Sequence, residues 1–292
     1  MTLKTMNPIS SAFIFIEILL ISMFIPNPIL ICFSFVAALI FCGFLTTAKD
    51  LRASLYFCLF LICLITAINP LISHNGVTVF YYMNDNPVTL EAYLYGAGIG
   101  LMVSSVYIWC KALSLVLTAD RMVYILGRAT PKTALVLSVA LRYIPMLKKQ
   151  SKRINEAQKT HGQTASDGYF DRVKAALRSF SALVGWSLEN AVETAKSMRA
   201  KGYGSKNRAT YSDISFKFRD GVALLFGALL FTGIIVIAFR HGLDFSYYPE
   251  VTVPKASFEN TAAVIMFSVL SFLPSILEIK ERIKWKSLKS KI

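Results

Sequence analysis

Few side chains in this 292-residue sequence offer reactive chemistry. The histidines, His74, His161 and His241, are scattered and form no HExxH or other metal spacing. Cys32, Cys42, Cys58, Cys63 and Cys110 lie in or beside apolar runs without a CxxC pair, and read as small buried hydrophobes. No Walker loop is present, so the chain is not itself a P-loop ATPase. Glu17 is the acid inside an apolar run, where it could serve helix pairing, a substrate path or a satisfied structural role. The remaining chemistry is of another kind. Two helical patterns end in a basic residue followed by glycine, His161-Gly162 and Lys201-Gly202. A cation at an exposed helix terminus backed by glycine can enter a groove and meet a carboxylate. Two such termini suggest two partner sites or two halves of a dimer, unless the pair lies on anionic lipid.

The elements that must position these termini run from Thr130 to Gly204. Thr130 suits an N-cap and Pro131 a first helical turn. An apolar stretch then gives way to Arg142, Lys148, Lys149, Lys152 and Arg153. Pro145 lacks the N–H that a helix interior needs, so Arg142 to Pro145 is expected to kink where the helix leaves the bilayer or turns along it. Gly162 is the expected stop. In the second helix Phe180, Val184, Leu188, Ala191, Ala195 and Met198 recur at helical spacing, and Ala191 and Ala195 thin the stripe enough for close packing. Gly202 and Gly204 stop it, next to a cluster of Arg199, Lys201, Lys206 and Arg208.

The surrounding sequence is far more apolar. Residues are 55% hydrophobic and 16% charged, against about 25% charge in a soluble domain. Apolar segments at 11–24, 28–45, 51–69, 91–110, 221–238 and 260–277 approach the length needed to cross about 30 Å of hydrocarbon. The first is the shortest. The net charge of +14 is concentrated between Lys111 and Arg219, which hold 20 Lys/Arg against 7 Asp/Glu. That distribution favours cytoplasmic retention over nucleic-acid binding. Residues 71–90 contain no Lys or Arg and read as two short extended pieces around Asn84-Asp85-Asn86-Pro87, outside the membrane. Gly96, Gly98 and Gly100 would let a neighbouring helix approach. The basic tail from Glu278 is expected inside. The expected fold is an all-α polytopic membrane protein with about six transmembrane helices, both termini cytoplasmic, and two long cytoplasmic helices. Residues 1–110 hold the N-terminal crossings, 111–219 the basic cytoplasmic region, and 220–292 the last crossings and tail. No catalytic, cofactor-binding or metal-ligating residue is assigned.

The stretches LRYIPMLKKQSKRINEAQKTHG, Leu141 to Gly162, and SMRAKGYG, Ser197 to Gly204, resemble the transmembrane T component of energy-coupling factor (ECF) transporters, the EcfT or CbiQ type. That family usually ends each coupling helix with Ala-Arg-Gly. Thr160-His161-Gly162 and Ala200-Lys201-Gly202 stand at those places here. Lys201 keeps the charge without the guanidinium fork, and His161 is charged only part of the time near neutral pH. The resemblance implies a non-catalytic scaffold in a prokaryotic cell membrane. Two cytosolic ATPase subunits, which bind ATP and Mg, would act through these termini. The chain would transmit their closure to a small membrane S component that binds a vitamin or a transition-metal ion. The alternatives are a permease that binds its own solute, or a lipid-anchored helical scaffold without ATPase partners.

Overall fold

A computed structural model describes residues 6–73, 76–83, 86–160, 168–203, 216–240, 243, 245–248 and 258–289. The chain divides into two compact units, Met1–Arg121 with Ser215–Ile292, and Met122–Ile214.

In the first unit, asparagine and proline together start two helices. Asn7 accepts a hydrogen bond from the Ile9 amide at 3.1 Å and opens α1 (Pro8–Phe24), and Asn27 does the same for Ile29 at 3.1 Å and opens α2 (Pro28–Leu45). Each Asn satisfies one orphan amide, and the proline after it needs no donor. Thr47 caps α3 (Ala48–Ile72) and Thr89 caps α4 (Leu90–Val116). Between these two helices lies an antiparallel hairpin, β1 (Val79–Met83) with β2 (Asn86–Thr89), with a register shift between Val79 and Tyr81. It matches the two extended pieces expected from sequence; Asn84 and Asp85 lie outside the described residues. α5 (Ala119–Ala129), an amphipathic helix not anticipated from the sequence, follows α4 in the chain and falls mostly in the second unit. α8 (Phe218–Phe239) and α9 (Phe258–Lys289) complete the unit.

Among the described residues five helices, α2, α3, α4, α8 and α9, are long and apolar enough to cross a membrane, and α1, with 17 residues, is a shorter apolar helix. The chain is therefore a polytopic helical membrane protein. The helices run past the expected segments at several ends, twice through a proline. Pro70 lies inside α3, which continues to Ile72. So close to the terminus it forfeits a single helical bond, and the Ser73 amide still reaches the Asn69 carbonyl at 2.9 Å. Likewise α9 runs through Pro274 to Lys289.

α4 packs against α1, α2 and α3. Gly96 and Gly100, four residues apart, face α3 closely: a Cβ on Gly100 would stand 3.0 Å from the Ile62 Cα, and one on Gly96 2.9 Å from the Asn69 Cβ. Gly98 points elsewhere, toward the Tyr247 hydroxyl. Trp109, Phe15 and Phe41 form a buried triangle with ring centroids 5.7–6.0 Å apart. Ser34 lies beside it, fully buried. Its hydroxyl receives the Trp109 indole N–H at 3.0 Å and the Ser105 hydroxyl at 2.9 Å, and lies 2.8 Å from the Ser22 hydroxyl. With both lone pairs taken, its own proton is left for Ser22. One small side chain thus joins α1, α2 and α4 where apolar packing alone would leave four polar groups stranded. At one end of α2, Arg282 of α9 donates to the Phe44 carbonyl and lies 5.3 Å from the Phe44 ring centroid, which satisfies a carbonyl of the last helical turn.

Candidate functional site

The second unit contains α6 (Pro131–Thr160) and α7 (Tyr169–Ala200). α6 starts where the sequence placed it. The Thr130 carbonyl accepts the Ala134 amide at 3.1 Å, and the Thr133 hydroxyl bonds the same carbonyl at 2.9 Å. Pro145 is exposed within α6, which is helical throughout from Pro131 to Thr160. Arg142 is also exposed.

Polar bonds fix how the two helices pair. The Tyr143 hydroxyl is 2.8 Å from the Thr194 hydroxyl, 3.2 Å from Asn190 Oδ1 and 3.3 Å from the Asn190 carbonyl. Some three turns further along α6, Ser179 Oγ donates to Asn155 Oδ1 at 2.8 Å or to Gln158 Oε1 at 3.0 Å. As the α6 number rises, the α7 number falls, so the helices run antiparallel. The half-buried face of α7 includes Ser179, Leu183, Trp186, Asn190, Thr194 and Met198. Of the expected apolar stripe only Met198 belongs to it. Phe180, Val184 and Leu188 are exposed, as are Ala191 and Ala195. Sequence reasoning passed over this polar seam, although its members recur at helical spacing, Asn190 with Thr194 and Asn155 with Gln158.

The C-terminal end of α7 is closed by a Schellman motif. The Tyr203 amide bonds the Met198 carbonyl at 3.0 Å, the Gly202 amide bonds the Arg199 carbonyl at 3.0 Å, and Gly202 has φ of 75°. Glycine takes this left-handed conformation without a Cβ clash. Ala200 is the last helical residue and Lys201 the C-cap, both exposed. Lys201 stands at a cleft of about 460 Å³ that Arg142, Tyr143, Glu193 and Met198 also line. A cation here complements the negative end of the helix dipole. At the other terminus, Thr160 ends α6 and its hydroxyl donates to the Ala157 carbonyl at 2.8 Å or to that of Glu156 at 3.3 Å. His161, Gly162, Gly204, Lys206 and Arg208 lie outside the described residues.

The antiparallel register separates the two candidate termini. Thr160 is level with about position 175 of α7, and from there to Ala200 the helix extends roughly 37 Å at 1.5 Å per residue. Among the described residues, no group of three or more His, Cys, Asp or Glu could hold a metal ion.

The family described as CbiQ, cobalt transport protein, matches residues 2–211. The chain belongs to the CbiQ family. Membership and the apolar helices together make it a membrane protein of a transport family. Among curated proteins, the energy-coupling factor transporter transmembrane protein EcfT of Lacticaseibacillus paracasei is 36% identical over 106 residues, covering 36% of this chain and 40% of the relative. EcfT 1 of Listeria monocytogenes is 33% identical over 106 residues, with coverage of 36% and 40%. An uncharacterized protein of Mycoplasma pneumoniae is 34% identical over 112 residues, 37% of this chain and 25% of that protein. The chain thus spans two fifths or less of the length of these relatives.

Proposed function

We propose that this CbiQ-family protein is the T component of an ECF-type uptake transporter, with about six crossings, α1 included, and both termini cytoplasmic. In this reading unit two is the coupling region. Two cytosolic ATPase subunits, which supply the ATP and Mg sites, dock on Thr160-His161-Gly162 and Ala200-Lys201-Gly202, and their closure is passed to a small S component that binds a vitamin or a transition-metal ion.

The observation that carries this reading is the antiparallel pairing of α6 and α7. It sets the two helix C-termini at opposite ends of one rigid pair, a spacing suited to two separate subunits and unsuited to a single groove. Lys201, exposed at the capped end of α7, offers its charge to a carboxylate in such a subunit. Arg142 and Pro145, where α6 lacks one backbone bond, are the bending point during transmission. Ala191 and Ala195, exposed beside Val184 and Leu188, provide a thin apolar face for a helix of the S component.

The exposed apolar face of α7 also suits a second reading, a helix pair lying on lipid. Co-expression of the tagged chain with two ABC-type ATPase subunits and a small S component separates the two. Co-purification of all four in membranes supports coupling. Purification of the chain free of ATPase, with unit two protected only by anionic vesicles, supports the lipid reading. A chain that binds a vitamin or metal ion without any second membrane protein would be a permease.

A further inference from the structure

α1 and α8 run in the same direction. Glu17 packs against Gly227, where an added Cβ would stand 2.7 Å from a carboxylate oxygen, and further along Leu20 and Phe24 share a groove with Phe231, Ile235 and Phe239. This groove is almost wholly apolar, measures about 420 Å³, and begins about one turn beyond the Glu17–Gly227 contact. From Phe231 to Phe239 it extends about 12 Å along α8, close to the ~15 Å depth of one leaflet in a ~30 Å hydrocarbon core. At its open end stand Phe24 and Phe239, 71% and 82% exposed. Arg240 follows directly as the exposed C-cap of α8.

We propose that this groove is a binding site for one anionic phospholipid, with an acyl chain between α1 and α8 and the headgroup phosphate at Arg240. The apolar lining suits a hydrocarbon chain. The helices touch at Glu17 and Gly227, about one turn beyond the lining residues, so the narrow end of the groove suits a chain terminus. The cation lies at the end where a headgroup must sit, and its long stem lets the guanidinium reach the interface while the methylenes stay in the hydrocarbon. Attraction of an anionic headgroup to one arginine near the surface favours it over a zwitterionic one by about five-fold.

The test uses the full chain in liposomes of phosphatidylcholine containing a small fraction of phosphatidylglycerol with a photoreactive diazirine in its acyl chain. Peptide mapping after illumination is expected to place adducts on residues 20–25 and 231–239 several-fold above Leu59 and Phe60, exposed on α3. Leu20→Trp, which fills the groove from its exposed wall, is expected to remove that excess. Arg240→Gln is expected to lower it about five-fold for the phosphatidylglycerol probe and to leave a phosphatidylcholine probe unchanged. Adducts spread equally over α3 and the groove, in the wild-type chain, would overturn the proposal. Adducts that vanish when a small membrane subunit is co-reconstituted would also overturn it, since the groove would then hold protein.

Discussion

The hydroxyl of Tyr143 lies 2.8 Å from the hydroxyl of Thr194 and within reach of Asn190, so one phenol ties the middle of α6 to α7. The contact is half-buried and sits two residues before Pro145, where α6 is missing a backbone hydrogen bond. Tyr143→Phe keeps the ring and removes the bonds. It is expected to destabilise the α6–α7 pair by about 1 kcal/mol, read as faster hydrogen exchange across both helices. Thr194→Val is expected to cost a similar amount, and the double variant less than the sum, because the two groups share a bond. Full additivity would show that the phenol and Thr194 act independently.

Ser34 is a second polar joint, inside the apolar unit. Ser34→Ala leaves the Trp109 indole N–H and the Ser22 and Ser105 hydroxyls short of a buried partner. The expected loss is about 1–3 kcal/mol, seen as a lower midpoint of thermal unfolding in detergent. Cys32→Ala, at an exposed position of the same helix, is the control and should leave the midpoint unchanged.

Two glycines should respond oppositely to alanine. In Gly100→Ala the new methyl meets the Ile62 backbone at 3.0 Å, so α3 and α4 must separate. A cost of roughly 1–3 kcal/mol is expected. Gly185, inside α7, has nothing within 4 Å of an added Cβ. Gly185→Ala is therefore expected to stabilise α7 by roughly 0.5–1 kcal/mol through backbone entropy. Circular dichroism melts of the purified variants decide both. An equal response at the two positions would contradict the packing described at Gly100.

Much of this architecture is legible in the sequence because its signals are local. Thr130-Pro131 marks the start of α6, Gly202 marks the end of α7, and the pieces around Asn86-Pro87 mark a hairpin. Gly96 and Gly100 announce a close helix contact, although not which helix. The remainder depends on pairings across long separations. Ser34 meets Trp109 from 75 residues away, and nothing in either local pattern joins them. The face of α7 is a different case. An apolar stripe ordinarily marks the side turned inward, but here Phe180, Val184 and Leu188 are exposed while Ser179, Asn190 and Thr194 meet α6. That inversion arises when the apolar side is kept for lipid or another subunit, which a reading based on a water-facing surface does not anticipate. α5 escaped notice because its eleven residues fall between the larger signals.

The proposed orientation in the membrane rests on the charge distribution, with 20 Lys/Arg between Lys111 and Arg219 and none between Leu71 and Leu90. Single cysteines replacing Asn84 and Ser205, in a cysteine-free background, are expected to label from the outside and the inside respectively with an impermeant maleimide. The reverse pattern would invert the topology and remove unit two from the ATPase side.

The coupling role rests most directly on Lys201. A carboxylate in an ATPase groove would hold this cation through a charged hydrogen bond of roughly 1.5–3 kcal/mol. The deciding measurement is ATP-dependent substrate uptake by vesicles containing the chain, two ATPase subunits and an S component, with ATPase co-purification followed in parallel. Lys201→Glu sets two negative charges together and is expected to abolish uptake and loosen the complex. Lys201→Arg is expected to preserve or tighten both, and His161→Arg to be tolerated. Unchanged assembly and uptake in Lys201→Glu would contradict the account, because the end of α7 would then not be the coupling contact.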